Sequence, residues 1–275
     1  MVFYRFLEDA AKRSRSESAN RTKRHLRWTI YNRTSLSGKN KRLVREYGSN
    51  EEVTRLVDTY DFFFVPVMNP DGYIYTWSED GNRTWRKSRS ANANSTCVGK
   101  DMNRNYDYLW GNNVGSSPDP CSNNYRGESV ASEIETQHVQ REGEELADRL
   151  ILWVTFHVSG WVYLFPYGHM ENDECYADPE DPVLQRVGDA AVRAITETWN
   201  DREWRAGTAC DVFYATSGTT QDWVRGRNIA KYVYTPELRG PGAVLPPSEI
   251  AFSVAENWNG FVAMVREMEL VESGQ

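Results

Sequence analysis

The run Leu150-Ile151-Leu152-Trp153-Val154-Thr155-Phe156-His157 decides how this chain is read. Seven apolar, aromatic or β-branched residues in succession, without the alternation of a half-exposed strand, describe a strand buried on both faces. A charged segment at 128–149, with Val130, Ile134 and Leu146 as its apolar stripe, reads as the helix leading into it. His157 then stands at the carboxyl end of a buried strand, where open α/β sheets place their ligand sites. Upstream, Leu43, Val53, Leu56 and Val57 punctuate another charged helix, and 61–67 (DFFFVPV) is a second buried strand, closed by the turn Asn69-Pro70-Asp71-Gly72. Downstream, a helix is expected over 182–199 with Pro182 in its first turn, and a strand over 230–235 leads to Glu237. The last helix starts near Ser248 and carries Ile250, Val254, Trp258, Phe261 and Val265. Helices alternating with buried strands predict an α/β fold: a mixed, mostly parallel twisted sheet flanked by helices on both faces.

The 275 residues, 40% of them hydrophobic, suffice for one sizeable core. Net charge is −7 but unevenly spread: residues 1–43 hold 12 Lys and Arg against 3 Asp and Glu, which leaves −16 on 44–275. Two regions follow, a basic N-terminal segment at 1–43 with little apolar periodicity that is not expected to pack, and a folded domain at 44–275. The basic segment carries no nucleic-acid recognition motif, so no nucleic-acid partner is expected. No apolar run approaches a membrane span, and neither a membrane partner nor an oligomer is called for. Four cysteines and the sequons at Asn20, Asn32, Asn82 and Asn94 are usage suited to the secretory path, although no signal peptide is recognisable.

Between the first two strands lies a long excursion, 73–127, rich in Asn, Ser and Gly, and a loop of such length is usually functional. It contains Asn82-Arg83-Thr84-Trp85-Arg86-Lys87 and Asp101-Met102-Asn103-Arg104-Asn105-Tyr106. Each brings an arginine beside amides or aromatics, and arginine grips a carboxylate through two parallel hydrogen bonds, so the pair suggests an anion pocket. Read alone, His157 is open between a structural role and a metal ligand, and Glu237 between a surface ion pair and a base.

The order Asn69-Pro70-Asp71-Gly72, Trp85-Arg86-Lys87, Asn103-Arg104-Asn105, His157, Pro166-Tyr167-Gly168, Tyr214 with Ser217-Gly218, Asp222-Trp223 and Glu237-Leu238-Arg239 resembles the zinc metallocarboxypeptidases of the carboxypeptidase A/B family. The resemblance runs from about Leu43 to the end. It implies one zinc ion with His157 as a ligand, Glu237 as the catalytic base and Arg86 as the donor to the developing oxyanion. It further implies that Asn103, Arg104 and Tyr214 hold the terminal carboxylate of a peptide and that Gln221 forms the floor of the pocket for the departing side chain. Gln221 is neutral, so release of neutral or apolar residues is expected. Partners would be peptide or protein C-termini, in a secreted protein. By the same resemblance Cys97 pairs with Cys121 and Cys175 with Cys210.

One element of the family's pattern has no match: an early His-x-x-Glu that supplies two zinc ligands. His25 can be laid on its histidine only by deleting its glutamate, which makes His25 the candidate second ligand and 1–43 an incomplete or altered N-terminus. Asp101, which would orient that first histidine, is present. The alternative reading is therefore an inactive carboxypeptidase-like protein that binds peptide C-termini.

Overall fold

The computed structural model describes residues 42–275 together with the backbone of 24–30. Its main sheet has six strands: β1 (Arg24–Ile30), β2 (Tyr60–Val65), β3 (Leu150–Val158), β4 (Val162–Phe165), β7 (Arg205–Thr208) and β8 (Tyr232–Leu238), in the spatial order β2-β1-β3-β8-β4-β7. β4 runs antiparallel to β8 and every other neighbouring pair is parallel, which gives the mixed, mostly parallel sheet expected. β5 (Met170–Glu171) and β6 (Glu174–Cys175) form a separate small hairpin. β1 lies between β2 and β3, so the basic segment expected not to pack contributes a strand, and the division at 43/44 does not bound the sheet. Asn20 and Asn32 lie outside the described residues; Asn82 and Asn94 are exposed.

Side chains of the central strands alternate between two apolar layers. Leu152, Val154 and Phe156 of β3, with Tyr232, Tyr234 and Leu238 of β8, face a core closed by α1 (Glu51–Thr59), α4 (Asp181–Trp199) and α7 (Glu249–Glu272). Trp153 and Val233 face the opposite layer with Val139 of α3 (Ile134–Leu146) and Trp223 of α6 (Thr220–Gly226). Burial on both faces is why the strands read as continuous apolar runs.

The helix before β3 departs from its expected register. It begins at Ile134 rather than near 128, Val130 and Ile134 are exposed, and its inward face is Thr136, Val139 and Gly143. Gly143 faces the core because a Cβ there would stand 2.9 Å from Trp223 and 3.3 Å from Trp153, so two indoles occupy the room a side chain would need. The Asn69-Pro70-Asp71-Gly72 turn opens α2 (Pro70–Tyr75): Asn69 Oδ1 accepts from the Gly72 N–H, and Pro70 sits in the first turn, where its missing donor costs nothing. Cys97–Cys121 and Cys175–Cys210 are both joined, the first within the long excursion. α5 (Ala209–Val212) follows β7 and carries Cys210.

Candidate functional site

Strand register brings His157 and Glu237 together: they are direct partners on β3 and β8, at the carboxyl ends of both strands. Glu237 lies within β8, two residues beyond the strand end expected from sequence. Pro236 cannot donate to a ladder, and the pairing of β3 with β8 passes from Val154↔Tyr234 to His157↔Glu237 without a partner for it. His157 Nδ1 is 3.7 Å from Glu237 Oε1. Burial, reinforced by Arg86 and opposed by Asp101, holds the His157 imidazole down to about 3, so it is neutral at physiological pH. Burial pushes the Glu237 carboxyl up to about 7, against the pull of the Arg86 and Arg104 guanidinia.

The excursion supplies the cations. A 3-10 turn, Met102–Arg104, is capped by Asp101, whose Oδ1 accepts from the Asn103 N–H at 3.0 Å. Arg86 Nε donates to Asp101 Oδ2 at 2.8 Å. Burial alone would raise the Asp101 carboxyl, but Arg86 and Arg104 outweigh it and hold the group below its ordinary value. The carboxylate that would orient a first-ligand histidine is thus ion-paired with Arg86.

Arg104 is 2% exposed and aimed by backbone carbonyls: Nε donates to Gly115 O at 2.6 Å and Nη1 to Asn103 O at 2.7 Å. Gly115 must be glycine, since its φ is +57° and a Cβ would lie 2.3 Å from Ala215 O. Tyr214, 47% exposed, takes a long 3.4 Å hydrogen bond from Arg104 Nη2 to its hydroxyl. Asn103 Oδ1 accepts from both the N–H and the hydroxyl of Thr220, at 2.9 and 3.0 Å, which fixes the amide and leaves Nδ2 as its donor. Gln221 is buried in the next position of α6. Thr220 and Gly115 have no motif of their own, and their positioning roles were invisible in the sequence. Arg86, Asp101, Asn103 and His157 line a cavity of about 390 Å³.

His25 is not brought to this place. It pairs with Leu150 in the β1·β3 ladder, seven residues before His157 and so about 20 Å away along the strand. β1 does end beside the site, with Ile30 opposite Phe156, but residues 31–41, which follow it, contain no His, Cys, Asp or Glu. Among the described residues no three His, Cys, Asp or Glu side chains are grouped to hold a metal ion. A zinc site needs three protein ligands, so this residue set does not fit one. His169 is buried: Tyr167 and Tyr176 pack on its ring at 4.9 and 4.8 Å, and Asp222 lies 3.8 Å from Nδ1.

Glu237 yields a pH-dependent expectation in protein kept metal-free with a chelator. Its folded-state pKa is raised, so its contribution to stability is full below about 4.5 and is lost as pH climbs toward about 7. Glu237→Gln should match the parent at pH 4.5 and exceed it at pH 8 by up to about 3 kcal/mol in urea unfolding. A gap that does not open with pH would show the carboxyl to be solvated.

Residues 39–260 match the zinc carboxypeptidase family, Peptidase M14. The chain is 35% identical to carboxypeptidase O of Bos taurus over 231 residues, covering 83% of this chain and 59% of that protein. It is 34% identical to mast cell carboxypeptidase A of Homo sapiens, over 81% of this chain and 50% of the other. Among solved structures it resembles thrombin-activatable fibrinolysis inhibitor, with TM-score 0.82 and 27% identity over 91% of this chain and 63% of that one. Carboxypeptidase A from Helicoverpa armigera gives TM-score 0.79 and 26% identity over 89% and 61%. The fold and its site define a carboxypeptidase-like α/β protein. The chain belongs to the zinc carboxypeptidase family, and it spans 50–59% of the length of these two curated relatives.

Proposed function

We propose that the protein recognises the free C-terminus of peptides or proteins, and that hydrolysis of the terminal peptide bond is the reaction its family membership supports. The observation that carries this reading is the convergence of Arg104, Asn103 and Tyr214, a buried guanidinium aimed by carbonyls beside an amide donor and an exposed phenol. A carboxylate arriving there exchanges the long Tyr214 contact for charge-assisted bonds. Arg86, on the wall of the same cavity, would donate to the carbonyl oxygen that gains charge, and Glu237, titrating near neutrality, would take a proton from water and pass it to the departing amine. Gln221 presents a neutral floor suited to neutral or apolar terminal residues. Two disulfides favour an oxidising, secretory or extracellular setting.

A second reading, binding without hydrolysis, is favoured by the ligand count: zinc is the family's metal and needs three protein ligands, and the described residues group no three His, Cys, Asp or Glu side chains to hold it. Equilibrium dialysis against zinc, combined with turnover of a blocked dipeptide, separates the two. Substoichiometric zinc and turnover equal to that of the chelated protein are expected for the chain as written. Stoichiometric zinc with chelator-sensitive turnover would establish hydrolysis and place the other ligands outside the described residues.

A further inference from the structure

We propose that the exposed shelf formed by Tyr73, Ile74 and Trp77 is a subsite for an apolar or aromatic side chain of the bound peptide, upstream of its terminal residue. This rests on the reading of the site as one that takes peptide C-termini. Ile74 and Trp77 are 66% and 64% exposed, the two most solvent-accessible large hydrophobic side chains among the described residues. They are neighbours on one surface: Tyr73 meets Trp77 edge to face at 6.5 Å, and Tyr73, Ile74, Trp77 and Ser78 line a shallow groove of about 420 Å³. Single exposed apolar residues are ordinary, but an apolar groove continuous with a binding cavity is a recognised mark of a ligand surface.

That continuity is direct. Tyr73 and Trp77 belong both to the groove and to the wall of the cavity that holds Arg86, Asn103 and His157. A peptide held by its terminal carboxylate must lead the rest of its chain out of that cavity, and the aromatic wall continues outward as the groove. Arg83 lies 4.0 Å over the Trp77 ring, a cation stacked on its face that fixes the indole while most of the residue stays open to solvent. A ring held in place loses little freedom when a side chain packs on it, and the matching occupant is apolar or aromatic rather than acidic or small.

The test uses two peptides that share a terminal residue and differ at the two positions before it, Phe-Leu in one and Gly-Gly in the other, with affinities read by fluorescence anisotropy. The unmodified protein should favour the Phe-Leu peptide at least fivefold. The Ile74→Ser variant, altered at an exposed groove position outside the cavity wall, should lose most of that preference and keep its affinity for the Gly-Gly peptide. No preference in the unmodified protein, or an equal loss for both peptides in the variant, overturns the subsite. Concentration-dependent self-association that Ile74→Ser abolishes also overturns it, by making the shelf a contact between copies. Arg104→Ala separates the two claims: it should weaken both peptides alike. If it changes neither while Ile74→Ser still removes the Phe-Leu preference, the carboxylate reading fails and the shelf stands as a peptide surface.

Discussion

Arg104→Ala is expected to lower the affinity for free-carboxylate peptides by at least thirtyfold, since truncating one partner of a buried, hydrogen-bonded charge pair costs about 2–5 kcal/mol. The size of the effect follows from how the guanidinium is held. Gly115 O and Asn103 O fix Nε and Nη1 before any ligand arrives, so little side-chain freedom is lost on binding. Each terminal nitrogen carries a second N–H for which the described residues show no acceptor, the fork that a carboxylate takes. Arg104→Lys should recover only part of the loss, because a single ammonium cannot bond both the carbonyls and the carboxylate in that geometry. Full recovery by lysine, measured by calorimetry, would reduce the site to a simple positive charge.

Arg239→Ala should be the most destabilising surface-to-core change at the edge of the site, about 3–5 kcal/mol by the usual cost of removing one partner of a buried ion pair. Arg239, directly after the end of β8, has Nε 3.2 Å from Glu256 Oε1 and Nη1 3.0 Å from Glu249 Oε2, and its Nη2 bonds Asp201. Asp201 and Glu249 reach solvent, whereas Glu256 on α7 is fully buried, so losing the cation takes one charge partner from a carboxylate that water does not reach. The double variant Arg239→Ala/Glu256→Gln should regain a substantial part of the loss in urea unfolding. If the double variant is no more stable than the single one, the cost lies in lost packing rather than in charge.

The parts of the site legible in sequence were those in which local chemistry and strand position coincide. His157 announced itself by closing a continuous apolar run, and Glu237 by following another, although Pro236 made that strand seem to end early. Arg86, Asn103 and Arg104 were visible through motif resemblance, because nothing periodic marks a loop residue; the aim of Arg104 and Asn103 depends on Gly115 and Thr220, which tertiary packing brings near. The face of α3 was misread since its buried residues are Thr136, Val139 and Gly143, a stripe whose small members make room for Trp153 and Trp223. The basic segment looked unable to pack, yet 24–30 forms an inner strand, whose N-terminal position for His25 is what separates it from His157.

Carboxylate recognition that does not depend on a completed zinc site is tested most directly by calorimetry with one peptide in two forms, the free acid and the C-terminal amide, each measured with and without a chelator. The free acid should bind at least tenfold more tightly than the amide, and chelation should leave that ratio unchanged, because Arg104, Asn103 and Tyr214 are positioned by carbonyls and Thr220 rather than by a metal ion. Equal affinity for acid and amide, or a preference that vanishes on chelation, would contradict the account.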